Sequence, residues 1–182
     1  GKGVGGVLSE QPGRAIEAFI GVVKGDPETV ELHFALGSLF RRRGEYDRAI
    51  RMHQHLLERA DLGAEQKRTA HYELAQDYLK AGIPDRAEEL FGRLEQGPHA
   101  AQARRSLLEI FQHEQDWVRA IDMARRLEAD TGESRAREIS QFLCELAATE
   151  ATHSRPDAAR VHLEAALEAN RKSVRASMLL GD

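Results

Sequence analysis

The sequence repeats itself. Five segments carry an alanine in matching surroundings: GRAIEAFIGVV, DRAIRMHQHLL, DRAEELFGRL, VRAIDMARRL and AARVHLEAAL. Their alanines, Ala15, Ala49, Ala87, Ala120 and Ala159, are spaced 34, 38, 33 and 39 residues apart. Twelve residues before each lies Gly3, Gly37, Ala75, Leu108 or Ala147, and three residues after three of these come Phe40, Tyr78 and Phe111. A period of this length assigns one small supersecondary unit to each repeat. Such a unit cannot bury its apolar side alone and must stack on its neighbours.

Within a unit the pattern reads as helix–turn–helix. Leu36 with Phe40, and Leu74 with Tyr78, fall at i,i+4 on one helical face. Gly44 and Gly82 stand where the first helix must end in the left-handed conformation. Asp47 and Asp85 lie near the start of the second helix, where a carboxylate accepts orphan N–H groups and complements the macrodipole. The small residue at Ala49 or Ala87 lets the two helices cross closely, and Phe19, Val22, Phe91 and Leu94 continue the core face.

These elements resemble the tetratricopeptide repeat: a Leu-Gly pair, an aromatic three residues on, a turn glycine, the alanine, an apolar residue four later and a closing proline such as Pro27. The resemblance implies an all-α, right-handed superhelical solenoid of about five units. These cover 1–27, 28–63, 64–97, 98–131 and 134–171, with a partial sixth from 172 signalled by Leu180-Gly181. The fourth unit departs from the pattern at Leu108 and Gln115, the fifth at Glu150 and Ser154, and the first opens on a glycine-rich helix. The extra residues in the second interval are expected in an inter-unit loop, RADLGAEQ. Those in the fourth, around ADTGESRARE, are expected to lengthen a loop or the following helix. With no polar capping helix after Leu180-Gly181, the C-terminal face is expected to be adhesive, with homo-oligomerisation through terminal repeats.

Composition narrows the function classes. The 26 Lys and Arg against 30 Asp and Glu give a net charge of −4, which argues against nucleic-acid binding, since that needs clustered cations. The sequence contains no apolar run long enough to span a bilayer, so no membrane contact is expected of these residues. The one cysteine, Cys144, excludes an internal disulfide and any cysteine-rich zinc site. Gly1-x-Gly3-x-x-Gly6 matches a dinucleotide fingerprint in spelling, but no strand precedes it, and a frayed terminus explains it better. Among eight histidines none is paired at i,i+4. His33 and His71 sit four residues before Gly37 and Ala75, at inter-helix core positions. No catalytic residues, metal ligands or cofactor are expected, and the chain reads as a non-enzyme.

Function then falls to the surface. The first helices of such repeats line a concave face, and counting from the small residue gives the groove positions. The resulting candidates are Phe34, Ser38, Arg41 and Arg42 in the second unit, Tyr72, Gln76 and Lys80 in the third, and Arg105, Gln112 and His113 in the fourth. Arg41, Arg42, Lys80 and Arg105 are expected to form a cationic strip flanked by Phe34 and Tyr72, suited to an acidic-hydrophobic peptide or helix. Reversing Arg41 and Arg42 to Glu is expected to weaken binding without unfolding the array. The Lys–Asn pair by which some of these repeats clamp chaperone C-termini is absent, since Phe34 and Ser38, then Tyr72 and Gln76, hold those positions.

Longer stretches, SEQPGRAIEAFIGVVKGDPETVELHFALGSLFRRRGEYDRAIRMHQHLLER, QDYLKAGIPDRAEELFGRL and QDWVRAIDMARRL, resemble the lipopolysaccharide assembly protein B family of Gram-negative bacteria. That resemblance implies a transmembrane helix before the repeats and a rubredoxin-like metal domain with paired Cys-x-x-Cys motifs after them. Neither lies in these residues, so the chain is expected to be the repeat portion of a longer protein, at the cytoplasmic face of the inner membrane. The family implies a non-catalytic adaptor that regulates lipopolysaccharide synthesis. It does so by promoting proteolysis of the committed-step lipid A deacetylase by an FtsH-type membrane protease, and by gathering other lipopolysaccharide enzymes. The alternative is a generic peptide-binding scaffold for unrelated partners.

Overall fold

The computed structural model describes residues 29–179, with side chains to residue 172. The first repeat, 1–27 with Gly3 and Ala15, and Leu180-Gly181 lie outside the described residues. Those described form eight α-helices and no strand: α1 Val30–Arg42, α2 Tyr46–Glu58, α3 Ala64–Lys80, α4 Pro84–Gly92, α5 Ala100–His113, α6 Trp117–Thr131, α7 Ala136–Thr152 and α8 Pro156–Leu179. Distinct from the five repeats, the described helices form two compact bodies, a first unit of α1 to α4 and a second unit of α5 to α8. In each unit every helix packs on the next in sequence.

The repeated alanines are the crossing points. Ala49, Ala87 and Ala120 are fully buried, and Ala159 nearly so. Around them the first unit buries Met52, Leu56, Leu74, Tyr78 and Phe91, and the second Leu107, Phe111, Ile121, Leu127 and Phe142. A methyl at the crossing allows close backbone approach, and larger side chains one turn away fill the space on either side.

All four turns inside the helix pairs share one geometry. A residue with positive φ, Gly44 (78°), Gly82 (80°), Gln115 (60°) or Ser154 (57°), follows the first helix. The next N–H reaches back five residues: Glu45 to Phe40 O, Ile83 to Tyr78 O, Asp116 to Phe111 O and Arg155 to Glu150 O, at 2.8–2.9 Å. This bond closes the helix end and fixes the reversal. The fourth and fifth repeats thus keep the turn where the sequence departs from glycine, with a side chain in a region that is costly for L-residues.

Three expectations change. The extra residues of the 38-residue interval do not make a loop of RADLGAEQ. Ala64, Glu65 and Gln66 open α3, which runs 17 residues against 13 in α1. The 39-residue interval lengthens the following helix in the same way, since α7 also has 17 residues and α5 has 14. Nothing in AEQ breaks a helix, and Gln66 accepts the Gly63 N–H at 3.1 Å, so the extra turn is capped from inside. Second, Asp47 and Asp85 lie in the first turns of α2 and α4 without making a side-chain cap bond. They act there through the macrodipole alone, whereas Asp116 caps α6 by accepting the Arg119 N–H at 3.2 Å. Third, no turn separates a fifth unit from a sixth. α8 runs 24 residues straight through 172, because the stretch EANRKSVRA contains neither glycine nor proline to stop it.

Candidate partner-binding face

In the first unit, α1 and α3 lie side by side, and the side chain that ties them is Arg41. Its guanidinium meets Glu73 at 2.7 Å and Asp77 at 2.9 Å, and donates to the Glu73 carbonyl at 3.3 Å. Asp77 is fully buried, and its other oxygen binds Nδ1 of His53, which is also fully buried. Burial opposes the Arg41 charge, but the Asp77 and Glu73 carboxylates outweigh it and raise its pKa above the ordinary arginine value. One network thus joins α1, α2 and α3.

This corrects the groove reading of Arg41. Its side chain is only 18% exposed, and its charge is committed to Asp77 and Glu73. An Arg41→Glu change would set a third carboxylate against those two and destabilise the unit, so the expectation that it leaves the array folded is withdrawn. Counting positions by register identifies the helix face, but not the partner 36 residues away. The sequence did hold a clue. His53 lies four residues after Ala49, where the next unit places Phe91 after Ala87. A polar ring at a core position needs a buried partner, and Asp77 supplies it.

The remaining candidates of this unit sort by exposure. Arg42 and Lys80 are exposed, each in the last turn of a first helix. Ser38 is half-buried. Phe34 is also half-buried, 6.2 Å from the His53 ring, and packs on Val30, Leu56, Leu62 and Ala70. The Tyr72 ring is stacked on His99 at 5.1 Å and meets Phe91 edge-on at 6.0 Å, and its hydroxyl accepts a hydrogen bond from Gln76 at 3.1 Å. Tyr72 and Gln76 thus form one held platform, and His99 was not anticipated as part of it. In the second unit Arg105, Gln112 and His113 are exposed on α5. Gln112 and His113 border an open depression of about 450 Å³ with Trp117, whose ring stacks on Phe142 at 5.6 Å.

His33 is buried and His71 half-buried. Both are held below the ordinary histidine value of 6.5, first by burial, then by Arg59 and His55 around His33 and by Arg93 and Lys67 around His71. The unfolded chain takes up these protons near pH 6.5 while the folded chain resists them. Their contribution is therefore complete above pH 6.5 and is lost as pH falls through the depressed folded values. Asp61 and Asp116 are shifted down from 3.8, so their contribution fades only in stronger acid. Thermal unfolding should show a melting temperature that falls between pH 7 and pH 5, and the His33→Gln, His71→Gln variant should flatten that slope.

The tetratricopeptide repeat family matches residues 32–68 and 72–134. Lipopolysaccharide assembly protein B of Escherichia coli K12 is 41% identical over 181 residues, which cover 98% of this chain and 46% of that protein. The Haemophilus influenzae protein of the same name is 34% identical over 99% of this chain and 48% of its own length. The chain thus spans about half the length of the curated relatives it matches. A crystal structure of the MamA protein superposes with a TM-score of 0.50 at 19% identity, covering 88% of this chain and 84% of that one, a likeness of fold alone. No helix among the described residues is long and apolar enough to cross a membrane. Repeated crossings at buried alanines, matching turns and both repeat matches agree: the chain belongs to the tetratricopeptide repeat family, as a helical repeat protein similar along its length to part of lipopolysaccharide assembly protein B.

Proposed function

We propose that this chain is the partner-binding part of a non-catalytic adaptor in lipopolysaccharide control, which brings an FtsH-type membrane protease to the committed-step lipid A deacetylase. The observation that carries the proposal is the 41% identity to lipopolysaccharide assembly protein B along 98% of the chain. An adaptor of this kind acts by holding protease and substrate together, which raises the effective concentration of each for the other. Other lipopolysaccharide enzymes would be gathered in the same way, at the cytoplasmic face of the inner membrane. The single cysteine, Cys144, does not fit a paired Cys-x-x-Cys metal site, so no cofactor is assigned to these residues.

On α1 and α3 the groove residues left free for a partner are Arg42 and Lys80, on the same helices as Phe34 and the Tyr72–Gln76 platform. The test is the intracellular half-life of the lipid A deacetylase with and without the full-length parent. Depletion should lengthen it several-fold, and an Arg42→Glu, Lys80→Glu parent, whose changes touch only exposed side chains, should reproduce much of that effect. An unchanged half-life on depletion would remove the proposed role. An unchanged half-life in the double variant alone would move the partner to another face.

A further inference from the structure

The second unit holds a cleft that the groove reading does not use. It opens among α6, α7 and α8 and encloses about 260 Å³. Its floor is Ala136, Ile139 and Leu143, on one face of α7 by i,i+3 and i,i+7 spacing. α8 supplies a wall of two alanines, Ala165 and Ala169, one turn apart. Those two side chains stop at a methyl, and the space between them and the floor would accept an added apolar group.

The rim is charged, and its charges are unequally satisfied. Glu128 accepts the backbone N–H of Arg135 at 2.7 Å, and Glu168 is ion-paired with Arg171 at 2.8 Å. Arg125 and Lys172 border the same cleft, are exposed, and make no ion pair among the described residues. The carboxylates are thus engaged within the chain while the two cations face outward. An apolar floor between uncommitted cations is complementary to an apolar side chain set among carboxylates.

We propose that this cleft docks a partner polypeptide through one side chain of leucine or phenylalanine size, flanked by acidic residues that Arg125 and Lys172 recognise. It is a second docking point, on other helices than the α1–α3 face, so one chain engages two segments at once. The ligand is defined by its chemistry, an aliphatic or aromatic anchor within an acidic stretch.

The test uses the full 182-residue chain with isotope-labelled Ile, Leu and Ala methyl groups. A blocked peptide of sequence DELDE is titrated against it, with KKLKK as the charge-reversed control. DELDE should shift the Ile139 and Leu143 methyl signals saturably at millimolar concentration and KKLKK should not. The effect should weaken with added salt, since the cations are exposed. Arg125→Gln with Lys172→Gln should lower DELDE affinity by about tenfold. Ala169→Leu, which fills the cleft, should abolish the shifts, and Ala165→Leu is the second filling variant should the first lose its fold. The proposal is overturned if DELDE leaves those methyls unmoved, if both peptides bind alike, or if affinity survives the charge or filling changes. It is overturned in favour of a lipid if phosphatidylglycerol vesicles perturb the same methyls and DELDE does not.

Discussion

Asp77→Ala should destabilise the first unit by about 3–5 kcal/mol, the range for removing one partner of a buried ion pair. Asp77 is fully buried and is the node at which Arg41 of α1 and His53 of α2 both bind α3. Its removal leaves the His53 ring without its partner and takes from Arg41 one of its two carboxylates. Asp77→Asn should cost less, because an amide still bonds both groups but lacks the charge. Chemical denaturation read by circular dichroism checks the ranking, alanine below asparagine below wild type. Equal stability of the wild type and Asp77→Ala would show that the network contributes nothing. A double-mutant cycle with Arg41→Met would measure how much of the loss is the pair itself. Because the partners are buried, the loss should be nearly independent of salt, unlike that of a surface pair.

Gly37→Ala should cost about 1–3 kcal/mol, the range for overpacking a filled core. A Cβ built on Gly37 would lie 2.4 Å from Nε2 and 2.8 Å from Cε1 of His53. A side-chain tip can ordinarily swing aside, but this ring is tethered to Asp77 through Nδ1. Moving it strains that bond or parts α1 from α2. The loss should disappear in a His53→Ala background, where the added methyl has room. A cycle across the two positions should therefore show strong coupling, and additive losses would mean that the ring yields freely. By contrast, a Cβ on Gly44 would meet nothing within 4 Å. Glycine is required there by its positive φ and not by space.

Much of the fold was legible because each repeat states its own register several times. The alanines fixed the helix crossings, and the turn glycines fixed where first helices end. Where glycine was missing, at Gln115 and Ser154, the flanking pattern still placed the turn, since the reversal is imposed by packing on both sides. The ends of elements were less legible. An insertion such as AEQ has no preference strong enough to separate loop from helix, and only the neighbouring helix decides. Register named helices for a candidate face, α1, α3 and α5, but not the state of each side chain on them. Arg41 and Lys80 look equivalent in sequence, yet one is locked to Asp77 and Glu73 and the other is exposed. That difference depends on pairs 24 and 36 residues apart, which one sequence does not reveal.

The unbroken α8 bears on how the array comes apart. In a stack of repeats each inter-helix turn is a place where the boundary between ordered and melted chain can pause, so successive units open with distinct free energies. The turn at Ser154 is such a stop. Beyond it, α8 offers no other through Leu179, and its residues on either side of 172 belong to one helix–coil transition. Amide protection should therefore decline smoothly along α8, without the step that a sixth unit beginning at 172 would impose.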